Sequence, residues 1–134
     1  QNCFNWLIPG GYLALHLVDK DNFDPIMPAG DPFSLVTPQK YAPKRITSTV
    51  VKFDQFDYKS NFETSPNDTR AIMSETFKYK KNGAVRQNKH ILYMPTQKKI
   101  LSIAKDIGFI LNSKIDMIKC QYTYQYIYIL QKPN

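Results

Sequence analysis

Cysteine is scarce in this chain. Cys3 and Cys120 are the only two among 134 residues, and neither belongs to a CxxC pair or lies near a histidine at zinc spacing. That excludes the common structural zinc arrangements, and no metal is expected. A chain this long buries enough surface to fold without a disulfide, so reduced cytosolic thiols are expected. Long uncharged apolar runs are missing, as is a charged-then-apolar leader. Neither a membrane span nor a signal peptide is therefore expected, and a cytoplasmic location follows. Dense basic runs are absent too. The net charge of +7, from 18 Lys and Arg against 11 Asp and Glu, is spread as single lysines or pairs (Lys80-Lys81, Lys98-Lys99) between apolar residues. This is the pattern of solvated faces, so nucleic acid and membrane surfaces are not the expected partners. There is no internal repeat and no low-complexity tract.

The hydrophobic share of 43% and aromatic share of 13% exclude an intrinsically disordered chain. The length suits a single domain, 1–134. The chain opens on Gln1 rather than Met, directly into an apolar segment, which suggests a true start further upstream.

Local patterns divide the chain into four parts. In 1–18, Cys3, Phe4, Trp6 and Leu7 form the last turn of an amphipathic helix, stopped by Pro9-Gly10-Gly11. Tyr12–Val18 (YLALHLV) follows, apolar on both alternating faces, as a strand covered on each side would be. Segment 19–46 has loop chemistry, with Pro25, Pro28, Pro32, Pro38 and Gly30 among Asp19, Asp21, Asp24 and Asp31. Its length suggests a lid or binding segment. Segment 47–94 is a β-meander: a strand within Thr47–Tyr58, a turn at Ser65-Pro66-Asn67-Asp68, a strand at Ile72–Lys80, a type I′ turn at Asn82-Gly83, and a return strand at Val85–Tyr93. In 95–134, Thr96 caps a helix with Ile100, Ile103, Ala104 and Ile107 on one face and Gly108 as its stop. An antiparallel pair, Phe109–Cys120 and Tyr122–Gln131, closes the chain.

Trp6-Leu7-Ile8-Pro9-Gly10-Gly11-Tyr12-Leu13-Ala14-Leu15 resembles the "L-x-P-G-G-x-L-x-x-x" signature that leads into the fifth strand of class I S-adenosylmethionine-dependent methyltransferases. The order of elements is similar as well. Those families follow that strand with a variable insertion, an antiparallel meander over the substrate site, a helix ending in Gly-Phe, and a closing hairpin. Ile100–Phe109 (ILSIAKDIGF) looks like that helix, and Tyr93-Met94-Pro95-Thr96 like its approach. Gln97 and Lys98 replace the usual acidic and apolar pair, leaving the helix N-terminus basic against its macrodipole.

The resemblance implies an α/β or α+β architecture corresponding to the C-terminal half of a Rossmann-like methyltransferase, with the meander inserted. It also implies a parent that uses S-adenosylmethionine and a small-molecule acceptor. The family's Gly-rich cofactor turn lies after its first strand and is not in this sequence. Gly10-Gly11 precedes a strand rather than joining a strand to a helix, so it does not replace that turn. Little or no cofactor binding and no activity are expected of the chain alone.

The family's acceptor site lies beyond the carboxyl end of the fifth strand, which makes His16 and Asp19 candidates for binding substrate, with Tyr93 at the end of the return strand as a third. His16 suits a general base, although a hydrogen-bonded core histidine is the favoured reading. Asp19 suits a turn or a site equally, and Tyr93 suits aromatic packing at least as well as an acceptor pocket. His90 is placed on a solvent face. The tyrosines at 122, 124, 126 and 128 suit one covered sheet face more than a base-stacking platform. The family's strand order leaves one edge of Tyr12–Val18 unpaired, so self-association through that edge is expected. A different class stays open: a basic, aromatic-rich module that binds an anionic ligand or single-stranded nucleic acid. A third reading is a non-catalytic interaction domain that keeps the methyltransferase outline.

Overall fold

The computed structural model describes residues 1–26, 38–65 and 68–134. The chain divides into two compact units, a finer partition than the single domain expected from length: Gln1–Phe23 with Pro95–Asn134, and Asp24–Met94.

The first unit holds α1 (Asn2–Trp6), β1 (Tyr12–Val18), α2 (Gln97–Ile107), β6 (Ile110–Asp116) and β7 (Gln125–Gln131). The second holds β2 (Ser48–Lys52), β3 (Phe56–Thr64), β4 (Arg70–Tyr79) and β5 (Val85–Tyr93). Helices and strands are mixed as expected, and both sheets are antiparallel throughout, ordered β1-β7-β6 and β2-β3-β4-β5.

In the first unit β1 pairs with β7 from Tyr12↔Gln131 to Val18↔Gln125. Its second edge has no strand partner among the described residues. β1 is not covered on both faces. Leu13 and Leu15 pack against the core of Ala104, Phe109 and Leu130, whereas Tyr12, Ala14 and His16 are exposed. Within this unit the helices supply one covering layer, so only alternate residues meet it.

The ends of α2 explain its sequence. Thr96 Oγ1 accepts from the Lys99 N–H at 3.2 Å, satisfying a donor that the first turn leaves free. At the other end Gly108 has φ +111°, its N–H donates to the Lys105 carbonyl at 2.9 Å, and the Phe109 N–H donates to Ala104 at 3.0 Å. This is a Schellman stop, and Phe109 and Ala104 complete it by entering the same core. The apolar stripe is rotated from the expected one: Leu101 reaches the core and Ile103 stays 50% exposed.

The strands of the closing hairpin are shorter than expected and their connection is longer. Asp116 caps a 3-10 turn at Met117–Cys120, so Tyr122 and Tyr124 fall outside β7, and only Tyr126 and Tyr128 continue the row. Tyr128 donates to Gln97 Oε1 on α2. Lys132 Nζ donates to the carbonyls of Phe4 (2.9 Å) and Leu7 (2.8 Å), closing the C-terminal end of α1.

In the second unit the strand expected within Thr47–Tyr58 is β2, and a turn at 53–55, where the Phe53 N–H meets the Phe56 carbonyl at 2.9 Å, leads into the further strand β3. The β4–β5 connection is not a two-residue type I′ turn. Of the pair at its tip only Gly83 has positive φ (+69°), and its N–H returns to the Tyr79 carbonyl at 2.9 Å, giving a longer loop with one left-handed residue. The Pro66-Asn67 part of the expected turn, and most of the expected lid (27–37), lie outside the described residues. Cys3 and Cys120 are both free and exposed. No helix among the described residues is long and apolar enough to cross a membrane, and no group of metal-ligating side chains occurs among them.

Candidate functional site

The three residues expected near a substrate are divided between the two units. His16 and Asp19 stand at the carboxyl end of β1 in the first unit, and Tyr93 ends β5 in the second. His16 Nε2 lies 2.9 Å from Gln125 Oε1. The bond satisfies a polar pair that includes the buried Gln125, although His16 itself is exposed rather than in a core.

Asp19 behaves as a turn residue. Its carboxylate accepts from the Asp21 N–H (3.1 Å) and Asn22 Nδ2 (2.9 Å), and its own N–H donates to the Tyr124 carbonyl at 2.8 Å. Tyr124 holds φ +58°, a conformation that is costly for a bulky side chain, and its ring is 50% exposed. Tyr93 is 66% exposed and so takes no part in an aromatic core. Strand alternation puts it on the sheet face opposite His90.

A denser arrangement lies on one face of the second sheet. Pairing aligns Tyr58 with Phe77, Ser60 with Glu75 and Phe62 with Met73. It also aligns Glu75 with Asn88 and Met73 with His90, so all these side chains share a face. Tyr58, Ser60 and Phe62 are buried. In their midst Glu75, with 18% of its side chain exposed, accepts from Tyr58 Oη on Oε1 at 2.8 Å. Its Oε2 meets His90 Nε2 at 3.1 Å and Asn88 Nδ2 at 3.5 Å.

The Tyr58 hydroxyl is the main reason the Glu75 carboxyl sits below its ordinary value; burial opposes it, and His90 and Asn88 add to it. Burial chiefly, and then the bond to Glu75, push the Tyr58 phenol up. The result is an ionised carboxylate set among rings: Tyr58 and Phe77 lie 5.0 Å apart, and Phe56 stands 5.8 Å from Phe77.

Sequence reasoning missed this cluster and set His90 on a solvent face. The ring is half-exposed but joined to Glu75. A signal was available: in Met73-Ser74-Glu75-Thr76-Phe77 the alternation that makes Met73 and Phe77 inward places one acid between them.

The glycines near β1 do not form a cofactor cradle. The Gly10 N–H is spent on the Lys132 carbonyl (3.0 Å) and the Gly11 N–H on Ile8 (2.9 Å), so neither is left to point at an anionic group. A Cβ at Gly11 would lie 2.9 Å from the Ile8 carbonyl, so local crowding accounts for that glycine. These residues do not fit S-adenosylmethionine.

No family model and no curated protein matches the chain. Among solved structures, the CcbJ methyltransferase from Streptomyces caelestis is similar over 99% of this chain and 48% of its own, with a TM-score of 0.64 at 14% identity. The fold is methyltransferase-like. A S-adenosylmethionine-dependent methyltransferase from Clostridium acetobutylicum ATCC 824 is similar over 65% of this chain and 37% of its own, with a TM-score of 0.49 at 13% identity. The methyltransferase-like chain thus spans about half the length of the CcbJ methyltransferase.

Proposed function

We propose that this chain is the C-terminal, acceptor-side half of a Rossmann-like, S-adenosylmethionine-dependent methyltransferase of the cytoplasm that acts on a small molecule. On this reading it binds the cofactor weakly or not at all by itself and is inactive alone. The observation that carries the reading is the extent of the likeness: nearly the whole chain aligns, and it aligns to about half of a methyltransferase. The engagement of both Gly10 and Gly11 N–H groups within the chain supports the cofactor part. His16, Asp19 and Tyr93 remain the residues proposed for substrate from the resemblance, and the face around Glu75 is proposed separately from its own geometry.

The edge of β1 that has no strand partner among the described residues carries the second part of the proposal, self-association by strand pairing. Calorimetry with S-adenosylmethionine tests the first part, using this chain and a version extended upstream by a strand and a Gly-rich turn. Binding is expected only in the extended version, and equal binding by both would overturn it. Light scattering tests the second, and a monomer at all concentrations and salt levels would refute it.

A further inference from the structure

We infer that the Glu75 face of the second sheet is a recognition site for a small organic ammonium group. The inference deepens the small-molecule acceptor reading and rests on it only for the role of the ligand, not for its binding.

Three features of this face converge. The first is charge. Glu75 is the one carboxylate on this face among the described residues, its side chain is 18% exposed, and its single ion-pair partner is His90, charged only when protonated. No Lys or Arg among the described residues forms a salt bridge with it. A carboxylate largely withdrawn from water interacts strongly with any cation that reaches it.

The second observation is acceptor capacity. A carboxylate has about four lone-pair positions. Tyr58 and His90 use two at 2.8 and 3.1 Å, and the Asn88 contact at 3.5 Å is at the limit of a hydrogen bond. A donor arriving from the β5 side, where His90 is half-exposed, therefore finds oxygen still open to it.

The third is the wall. The rings of Phe53, Phe56 and Phe77 run in contact, with centroids 4.7 and 5.8 Å apart, and their faces attract positive charge; the buried Tyr58 backs Phe77 at 5.0 Å. This face already draws cations from the chain itself: the Arg86 guanidinium stands 6.0 Å from the centre of Phe77 and that of Arg45 5.8 Å from Phe62. A carboxylate beside aromatic faces is the chemistry that selects an ammonium over a neutral group of the same shape.

The test is a titration of the full chain, followed by NMR at Asn88 and His90, with benzylammonium and with benzyl alcohol as its neutral counterpart. Saturable binding of benzylammonium is expected, at least tenfold tighter than benzyl alcohol, with Glu75→Gln erasing the difference. Phe77→Leu keeps the carboxylate but removes a ring, and a severalfold loss for the ammonium alone is expected; this variant decides the matter if Glu75→Gln does not fold. Equal binding of the two probes, or undiminished ammonium binding in the folded variants, would overturn the inference. Because no cofactor enters the experiment, ammonium binding without any methyl transfer in the extended version would count against the methyltransferase reading alone.

Discussion

Replacing Tyr58 with Phe removes one oxygen from a buried position of the second sheet and nothing else. The ring stays, and since Tyr58 is 6% exposed its apolar contacts are unchanged. What is lost is a 2.8 Å hydrogen bond to an ionised carboxylate. Bonds to charged groups contribute roughly 1.5–3 kcal/mol net. Glu75 is too enclosed for water to replace the phenol fully, yet it keeps His90 and Asn88, so the middle of that range, about 2 kcal/mol, is expected.

The effect carries its own pH signature. Protonating Glu75 weakens the same bond in the parent protein, so the cost of the substitution should shrink as pH falls through the carboxyl's folded pKa. The assay is urea unfolding followed by far-UV circular dichroism in a pH series running down from pH 7 until Glu75 is protonated, with Glu75→Gln and the double variant completing a cycle. A loss below roughly 0.5 kcal/mol at pH 7, the usual size of an inconsequential surface change, or a loss that stays constant as Glu75 takes up its proton, would refute the reasoning.

Other expectations follow from the same geometry. Because the Glu75 carboxyl is lowered from its ordinary 4.5, its contribution to stability is present above that value and lost as pH falls through the folded pKa; because the Tyr58 phenol is raised from 10.0, its contribution is present below pH 10 and lost as pH rises through the folded pKa. Thermal unfolding across that range should fall off at both ends, with the acid limb flattened in Tyr58→Phe. Leu130, 2% exposed at the centre of the first unit's core, should cost about 3 kcal/mol when cut to Ala, measured by denaturant unfolding. Gly108→Ala combines a φ of +111° with a Cβ 3.3 Å from the Phe4 ring, and about 1–2 kcal/mol of loss is expected from the same measurement. Lys132→Met keeps the stem over the Phe4 ring but leaves the Phe4 and Leu7 carbonyls without their donor; about 2 kcal/mol is expected, with faster amide exchange across α1.

The legible parts of this fold were those where one residue type has one physical use. Thr96 and Gly108 bounded α2 because a hydroxyl cap and a left-handed stop have few substitutes. The strand at Tyr12–Val18 and the closing antiparallel pair followed from local pattern and the resemblance together, and the likeness to the CcbJ methyltransferase supports the fold at that level. Elsewhere several conformations suited the residues. Phe53-Asp54-Gln55 holds neither Gly nor Pro, so the turn between β2 and β3 left no mark. Asn82-Gly83 signalled a turn but not its length, since only Gly83 needed positive φ. YLALHLV is apolar on both alternating faces except for His16, and an apolar residue is tolerated on an exposed face, so its alternation of covered and open positions was hidden. The Glu75 cluster was obscured for a different reason. Its members come from three strands, and only the registers of β3, β4 and β5 bring Tyr58, Asn88 and His90 to one carboxylate.

The first unit is assembled from two stretches of sequence with the whole of the second unit threaded between them, and the bond between His16 and Gln125 spans 109 positions. During synthesis β1 therefore emerges long before β7 exists to cover its hydrogen-bonding edge, while the β2–β5 meander, built from neighbours in sequence, is free to form at once. Maturation of this protein should run from the inside outward, with the nested sheet settled first and the oldest part of the chain docking last.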